Sequence, residues 1–180
     1  MRIKWFSLIR ITGLLLVLLY HFFQTIFPGG FFGVDVFFTF SGFLITALLI
    51  EEFSKKHEID LIGFFRRRFY RIVPPVVLMV LVTMPFTFLV RQDYVAGIGG
   101  QIAGVLGFMT NFYELLTGGS YESQFIPHLF VHNWSLAVEV HYYILWGLAV
   151  WFLSKQSKSN GQLRGMVFLL SAAAFLISFF

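Results

Sequence analysis

The chain has 180 residues, is 58% apolar and only 12% charged, and has a mean hydropathy of +0.79. These values exclude an ordinary soluble domain and point to a polytopic membrane protein. It has no cysteine, which excludes disulfides, thiolate catalysis and cysteine-based metal sites. The net charge of +4 comes from basic residues between apolar stretches. This reads as a basic cytoplasmic rim, with no nucleic-acid partner expected.

The first apolar stretch, FSLIRITGLLLVLLYHFFQTIF over 6–27, is long enough to cross a bilayer. It is too long for a leader peptide, is interrupted by Arg10 and lacks a small-residue cleavage site. Arg10 and His21 are ionisable residues inside it, which insertion scales penalise by roughly 2.5–3.5 kcal/mol. On one helix they share a face and lie about 16 Å apart along the axis. The expected arrangement is a fixed cation near the start of the span and a titratable imidazole deeper in it. A neutral imidazole accepts a hydroxyl proton or carries an acyl group near neutral pH. A buried histidine bonded to a neighbouring helix is the plainer alternative.

Pro28, Gly29 and Gly30 predict a tight turn into a second span over 31–50. There GVDVFFTFSGFLI holds Asp35 near the outer end and Ser41-Gly42 near the middle. Two readings of Asp35 stand side by side. It pairs with His21 or Arg10 across the hairpin, or it reaches headgroup water. Ser41 reads as a helix-packing hydroxyl.

Residues 51–72 carry Lys55, Lys56, Arg66, Arg67, Arg68 and Arg71, so this segment is expected inside, with the N-terminus, Arg2 and Lys4. The four arginines either hold the topology or clamp phosphates with their forks. A third span is expected over 73–90, with Pro74-Pro75 in its first turn and a kink at Pro85. The fourth, over 95–112, is glycine-rich, and Gly100 and Gly104 suit close helix approach. A full crossing is expected, although it puts Lys155, Lys158 and Arg164 outside; a re-entrant segment would keep them inside.

The fifth span, 134–153, begins with HNWSLAVEVHYY over 132–143. On a helix His132, Ser135 and Glu139 fall on one stripe. Glu139 lies within the apolar run and should face a cavity or a cation. Trp134, Tyr142 and Tyr143 suit an interfacial aromatic belt. The sixth apolar run, 165–180, reads as a truncated span. The expected fold is therefore all-α, a polytopic transmembrane helix bundle of about five full spans plus the truncated one.

Together these segments resemble the integral-membrane acyltransferase family 3. Its R-x10-H element matches Arg10 and His21. Its G-V-D-x-F-F-x-x-S-G-F element matches Gly33, Val34, Asp35, Phe37, Phe38, Ser41, Gly42 and Phe43. Its R-x-x-R-I-x-P element matches Arg68, Arg71, Ile72 and Pro74, and its H-x-W-S-L-x-x-E element matches His132, Trp134, Ser135, Leu136 and Glu139. After the glutamate the family has an acidic residue and a glutamine where this chain has Val140 and His141.

The resemblance implies that residues 1–180 are the N-terminal part of one membrane acyltransferase domain, incomplete at the C-terminus. It implies an O-acyltransferase of the bacterial cell membrane. The donor would be cytoplasmic acyl-CoA, usually acetyl-CoA, with no bound cofactor or metal. The acceptor would be a hydroxyl of an extracytoplasmic glycan, with peptidoglycan of the cell wall as the first expectation. Catalytic roles fall to His21, Arg10, Glu139 and Asp35, and the CoA phosphates to Arg68 and Arg71. Ser41, His132, Trp134 and Ser135 would line the substrate path. Expected partners are membrane lipids, the remaining spans and an extracellular esterase-like domain. The competing readings are a transporter or channel subunit and a non-catalytic truncated remnant.

Overall fold

The computed structural model describes residues 4–89, 97–117 and 128–179. All regular structure among them is helical. Arg2, residues 90–96 and residues 118–127 lie outside the described part. The chain packs as two units, one formed by the residues up to His57 with those from Ser157 onward, the other by Glu58–Gln156.

The first unit holds α1 (Lys4–Phe22), a 3₁₀ turn (Pro28–Phe32), α2 (Gly33–Lys56) and α7 (Asn160–Phe179). The predicted hairpin forms: α1 and α2 pack together through the turn. Glycine makes the approach possible. A Cβ at Gly33 would stand 2.5 Å from the Gly13 carbonyl oxygen and 2.8 Å from a Val17 methyl group. One at Gly30 would strike the Leu16 carbonyl oxygen and lie 2.8 Å from Tyr20 Cβ. Helix α2 buries Phe40, Ile45, Leu49 and Phe53 on one stripe. It ends at His57, whose left-handed φ of 56° lets its N–H donate to Phe53 O at 2.8 Å. Lys55 and Lys56 sit in the last turn, where the helix dipole favours cations, and pair with Glu51 and Glu52 at 2.6 and 3.2 Å. Helix α7 packs against α2 and buries Leu163 and Val167.

The second unit holds α3 (Leu61–Phe86), a 3₁₀ turn (Thr87–Leu89), α4 (Ile98–Leu106), α5 (Thr110–Thr117), a 3₁₀ turn (Val131–Asn133) and α6 (Trp134–Gln156). Asp60 caps α3 by accepting from the Gly63 N–H at 2.8 Å. The helix thus begins twelve residues before the predicted start at 73, and the arginine cluster is helical. Pro74 and Pro75 lie inside α3 rather than in its first turn. Proline is tolerated within a membrane helix where local adjustment and neighbouring helices satisfy the freed carbonyls. At Pro85 the helix ends instead of kinking, and continues as the 3₁₀ turn.

The single crossing expected over 95–112 is also corrected. Helices α4 and α5 have nine and eight residues, about 14 and 12 Å at 1.5 Å per residue, well short of a ~30 Å hydrocarbon core. The chain reverses at Gly107 and Phe108, where Phe108 takes a φ of 53° and Met109 N donates to Gly104 O at 2.7 Å. Tyr113 of α5 then lies against Gly100, and its hydroxyl donates to Gly97 O at 3.3 Å. The glycines do serve close packing, but between the arms of one short hairpin. Val76, Val80, Val105 and Phe130 form the core that seats this hairpin on α3. Helix α6 meets α3 where Gly147 leaves room for Phe64; a Cβ there would be 3.0 Å from Phe64 Cε1.

Among the described residues four helices, 28–56 (with the preceding 3₁₀ turn), 61–86, 131–156 and 160–178, are long and apolar enough to span a membrane, and α1 is a shorter apolar one. Exposed Leu81, Leu145, Phe168 and Leu176 suit a lipid-facing surface.

Gly33→Val should lower the melting temperature of the detergent-purified protein, because forcing α1 and α2 apart costs about 1–3 kcal/mol. Gly29→Ala, whose added Cβ would meet nothing within 4 Å, should leave it unchanged.

Candidate functional site

In the first unit Arg10 places its guanidinium carbon 5.2 Å from the centre of the buried Phe40 ring, a cation–π contact between α1 and α2. His21 lies in the final turn of α1, at the helix end rather than deep in the span as expected. Its Nδ1 faces Val17 O at 2.8 Å. A carbonyl oxygen only accepts, so Nδ1 carries the hydrogen and the neutral ring has its lone pair on Nε2. Asp35 is exposed in the first turn of α2, where the helix N-terminus favours a carboxylate. The hairpin brings His21 and Asp35 to the same end, yet among the described residues no ion pair joins Asp35 to His21 or Arg10. Ser41 is half-buried in α2. At the other end of α2, Phe43, Ala47 and Ile50 floor a groove of about 480 Å³ that Lys55 and Arg164 border.

In the second unit the structure joins two sets of residues that the sequence analysis kept apart. Arg68 of α3 is half-buried, with its guanidinium carbon 5.6 Å from the ring centre of Phe64 and 5.6 Å from that of Tyr143. The Tyr143 hydroxyl donates to Glu139 Oε1 one turn earlier on α6. Arg68 Nε is buried without a hydrogen-bond partner. Arg71, one turn further along α3, is exposed.

Tyr143 is the member of this assembly that the sequence did not single out. It read as an interfacial aromatic, although its i+4 spacing from Glu139 was a usable signal. His132 is exposed in the 3₁₀ turn, just ahead of the helix on which the predicted stripe would have placed it. Ser135 Oγ donates to His132 O at 3.4 Å and stays four residues from Glu139 on α6; Trp134 opens that helix. His141, where the family has a glutamine, packs its ring 5.5 Å from that of Phe112 on α5. A second missed feature is a close pair, His128 Nδ1 to Glu114 Oε2 at 2.7 Å. No group of three or more His, Cys, Asp or Glu residues that could hold a metal occurs among the described residues.

Apolar helices long enough to span a membrane, with an arginine–tyrosine–glutamate assembly in one unit and a helix-end histidine in the other, define a polytopic membrane protein with ionisable groups in its apolar helices. The chain belongs to the acyltransferase domain family, whose model matches residues 3–180. It is 30% identical over 174 residues to "O-acetyltransferase OatA" of Staphylococcus aureus strain NCTC 8325, covering 96% of this chain and 29% of that protein. It is 33% identical over 136 residues to "Putative O-acetyltransferase SACOL0978" of S. aureus strain COL, covering 76% of this chain and 22% of that one. The chain thus spans less than a third of the length of these relatives. No solved structure matches it.

A double-mutant cycle of Arg68→Leu and Tyr143→Leu, read by denaturation in detergent, should give a coupling of about 0.5–2 kcal/mol. Arg71→Leu paired with Tyr143→Leu should give none.

Proposed function

We propose that this chain is the N-terminal part of a membrane O-acyltransferase. It moves an acetyl group from cytoplasmic acetyl-CoA to a hydroxyl of an extracytoplasmic glycan, with peptidoglycan as the acceptor tested first. The observation that carries this reading is the Arg68–Tyr143–Glu139 assembly, set in a chain whose relatives are named O-acetyltransferases. Arginine forks suit the phosphates of CoA. Arg71 is exposed to meet them, and Arg68 has an unpartnered Nε behind it. Tyr143 and Glu139 fix where the Arg68 charge sits.

His21, with its lone pair on Nε2, takes the proton of the attacking hydroxyl or carries the acyl group transiently. The new C–O bond forms as the thioester C–S bond breaks, and the proton returns to the departing thiolate. Arg10, about 16 Å from His21 along the same helix, offers its positive charge to the donor and not to the centre at which His21 acts. Asp35, at the same end of the hairpin, is the carboxylate that would steer the His21 ring. Ser41, His132, Trp134 and Ser135 line the substrate path.

The short α4–α5 hairpin supports a specific orientation in the cell membrane. Counting spans along the chain without a crossing between α3 and α6 assigns Lys55, Lys56, the arginine cluster, Lys155, Lys158 and Arg164 to one side of the membrane. That is the distribution expected of the cytoplasmic face, and it puts the N-terminus inside. The segment contains no cysteine, so single cysteines can report sidedness. In the full reading frame, with any other cysteine removed, Thr117→Cys should react with an impermeant maleimide in intact cells. Ser157→Cys should react only after permeabilisation; the reverse pattern would restore the full crossing.

Alkali-labile acetate on purified cell wall tests the function. Deletion should remove it, and the full wild-type reading frame should restore it, whereas His21→Ala should not. Unchanged acetate in the deletion strain would exclude peptidoglycan as the acceptor. Arg71→Ala should raise the apparent KM for acetyl-CoA about tenfold, as loss of one charge-assisted phosphate contact implies. An unchanged KM would remove the clamp.

A further inference from the structure

The pair formed by Glu114 and His128 belongs to none of the four sequence elements that carry the family resemblance. Glu114 lies on α5 and is 7% exposed; the side chain of His128, just ahead of the 3₁₀ turn, is 13% exposed. Glu114 Oε2 and His128 Nδ1 are 2.7 Å apart, and the Tyr113 ring lies 5.6 Å from the imidazole. A carboxylate against Nδ1 holds the hydrogen there and leaves Nε2 as the basic nitrogen, the arrangement that orients a general base. Glu114 Oε1 is buried with no hydrogen-bond partner. So is Oγ1 of Thr110, a residue only 1% exposed and one turn away on the same face of α5. Native proteins seldom leave buried acceptors unsatisfied, because each costs about 1–3 kcal/mol. Two such atoms beside an oriented imidazole suit a ligand that donates through hydroxyl groups.

We propose that Glu114 and His128 form a second proton-accepting dyad, which binds and deprotonates a hydroxyl of the acceptor. This rests on the acyltransferase reading above. In this scheme His21 serves only the donor half of the reaction, and the hydroxyl proton passes to His128 Nε2 as its oxygen attacks the acyl carbonyl. The C–O bond forms, the bond from the acyl carbon to its donor breaks, and the imidazolium returns the proton to the leaving group. Glu114 stays ionised and holds the ring. Thr110 and Glu114 Oε1 engage the neighbouring hydroxyls of the polyol.

The test uses the full-length protein in lipid nanodiscs with acetyl-CoA and a soluble glycan acceptor, comparing wild type, H128Q, E114Q and His21→Ala. Glutamine at 128 can still donate to Glu114, so a purely structural pair survives the change. The dyad predicts that H128Q loses about 100-fold in acetyl transfer with an unchanged melting temperature. Transfer within twofold of wild type in H128Q, with His21→Ala inactive, would overturn the dyad and leave the acyltransferase reading intact. No ester formed by wild type would defeat that reading instead. The dyad is then decided by ¹⁵N-histidine NMR of the wild-type protein, with the signal assigned by its loss in H128Q. A neutral ring protonated on Nδ1 supports it, and one protonated on Nε2 overturns it.

Discussion

A guanidinium carried by an apolar helix has to be met from within the protein, and much of the second unit is arranged around that requirement. Hydrocarbon offers no hydrogen bonds, and arginine does not lose its proton to escape the cost. Arg68 is met by two aromatic faces and, through the Tyr143 hydroxyl, by Glu139. This makes α3 and α6 interdependent. Gly147 matters for the same reason, since a Cβ there would crowd Phe64 in that contact. Glu139, within an apolar helix, in turn accepts a hydrogen bond from the tyrosine that faces this cation.

Glycine sets the other close contacts, and it does two different things. In the first unit Gly30 and Gly33 let the return limb of a hairpin touch the backbone of α1. In the second, Gly97, Gly100 and Gly104 let α5 fold back along α4, so a stretch with the length and hydropathy of a span does not become one. Length and apolarity state what a segment is able to do. The reversal at Phe108 and the packing of Tyr113 state what it does.

The all-α bundle was legible because long apolar runs have few alternatives in a membrane. The hairpin at Pro28–Gly30 and the same-helix relation of Arg10 and His21 were legible because turn chemistry and helical period are local. The start of α3 was not. Pro74-Pro75 carries a strong first-turn signal, while the true cap is Asp60, whose side chain bonds Gly63. The two short helices were hidden because glycine spacing does not tell whether the partner is another helix or the next one in the chain. Within the site, Arg68, Arg71 and Glu139 were each identified from sequence. Their relation was not, because it runs through Tyr143, and a contact between α3 and α6 has no local periodicity. The pair of Glu114 and His128 left no signal for a similar reason. Fourteen residues separate them, and no helix register relates the two.

The two prolines inside α3 have a mechanical consequence. Neither can donate to the turn before it, so the carbonyls of Tyr70 and Arg71 lose their usual helix donors. Backbone hydrogen bonds alone therefore do not hold the two parts of α3 in line. The first part bears the arginine cluster and is held to α6 through Phe64 and Arg68, while the second carries Val76 and Val80 into the core against α4. How the two parts align is thus set by what each packs against, and a change in α6 reaches the arginines through that weak point in the ladder.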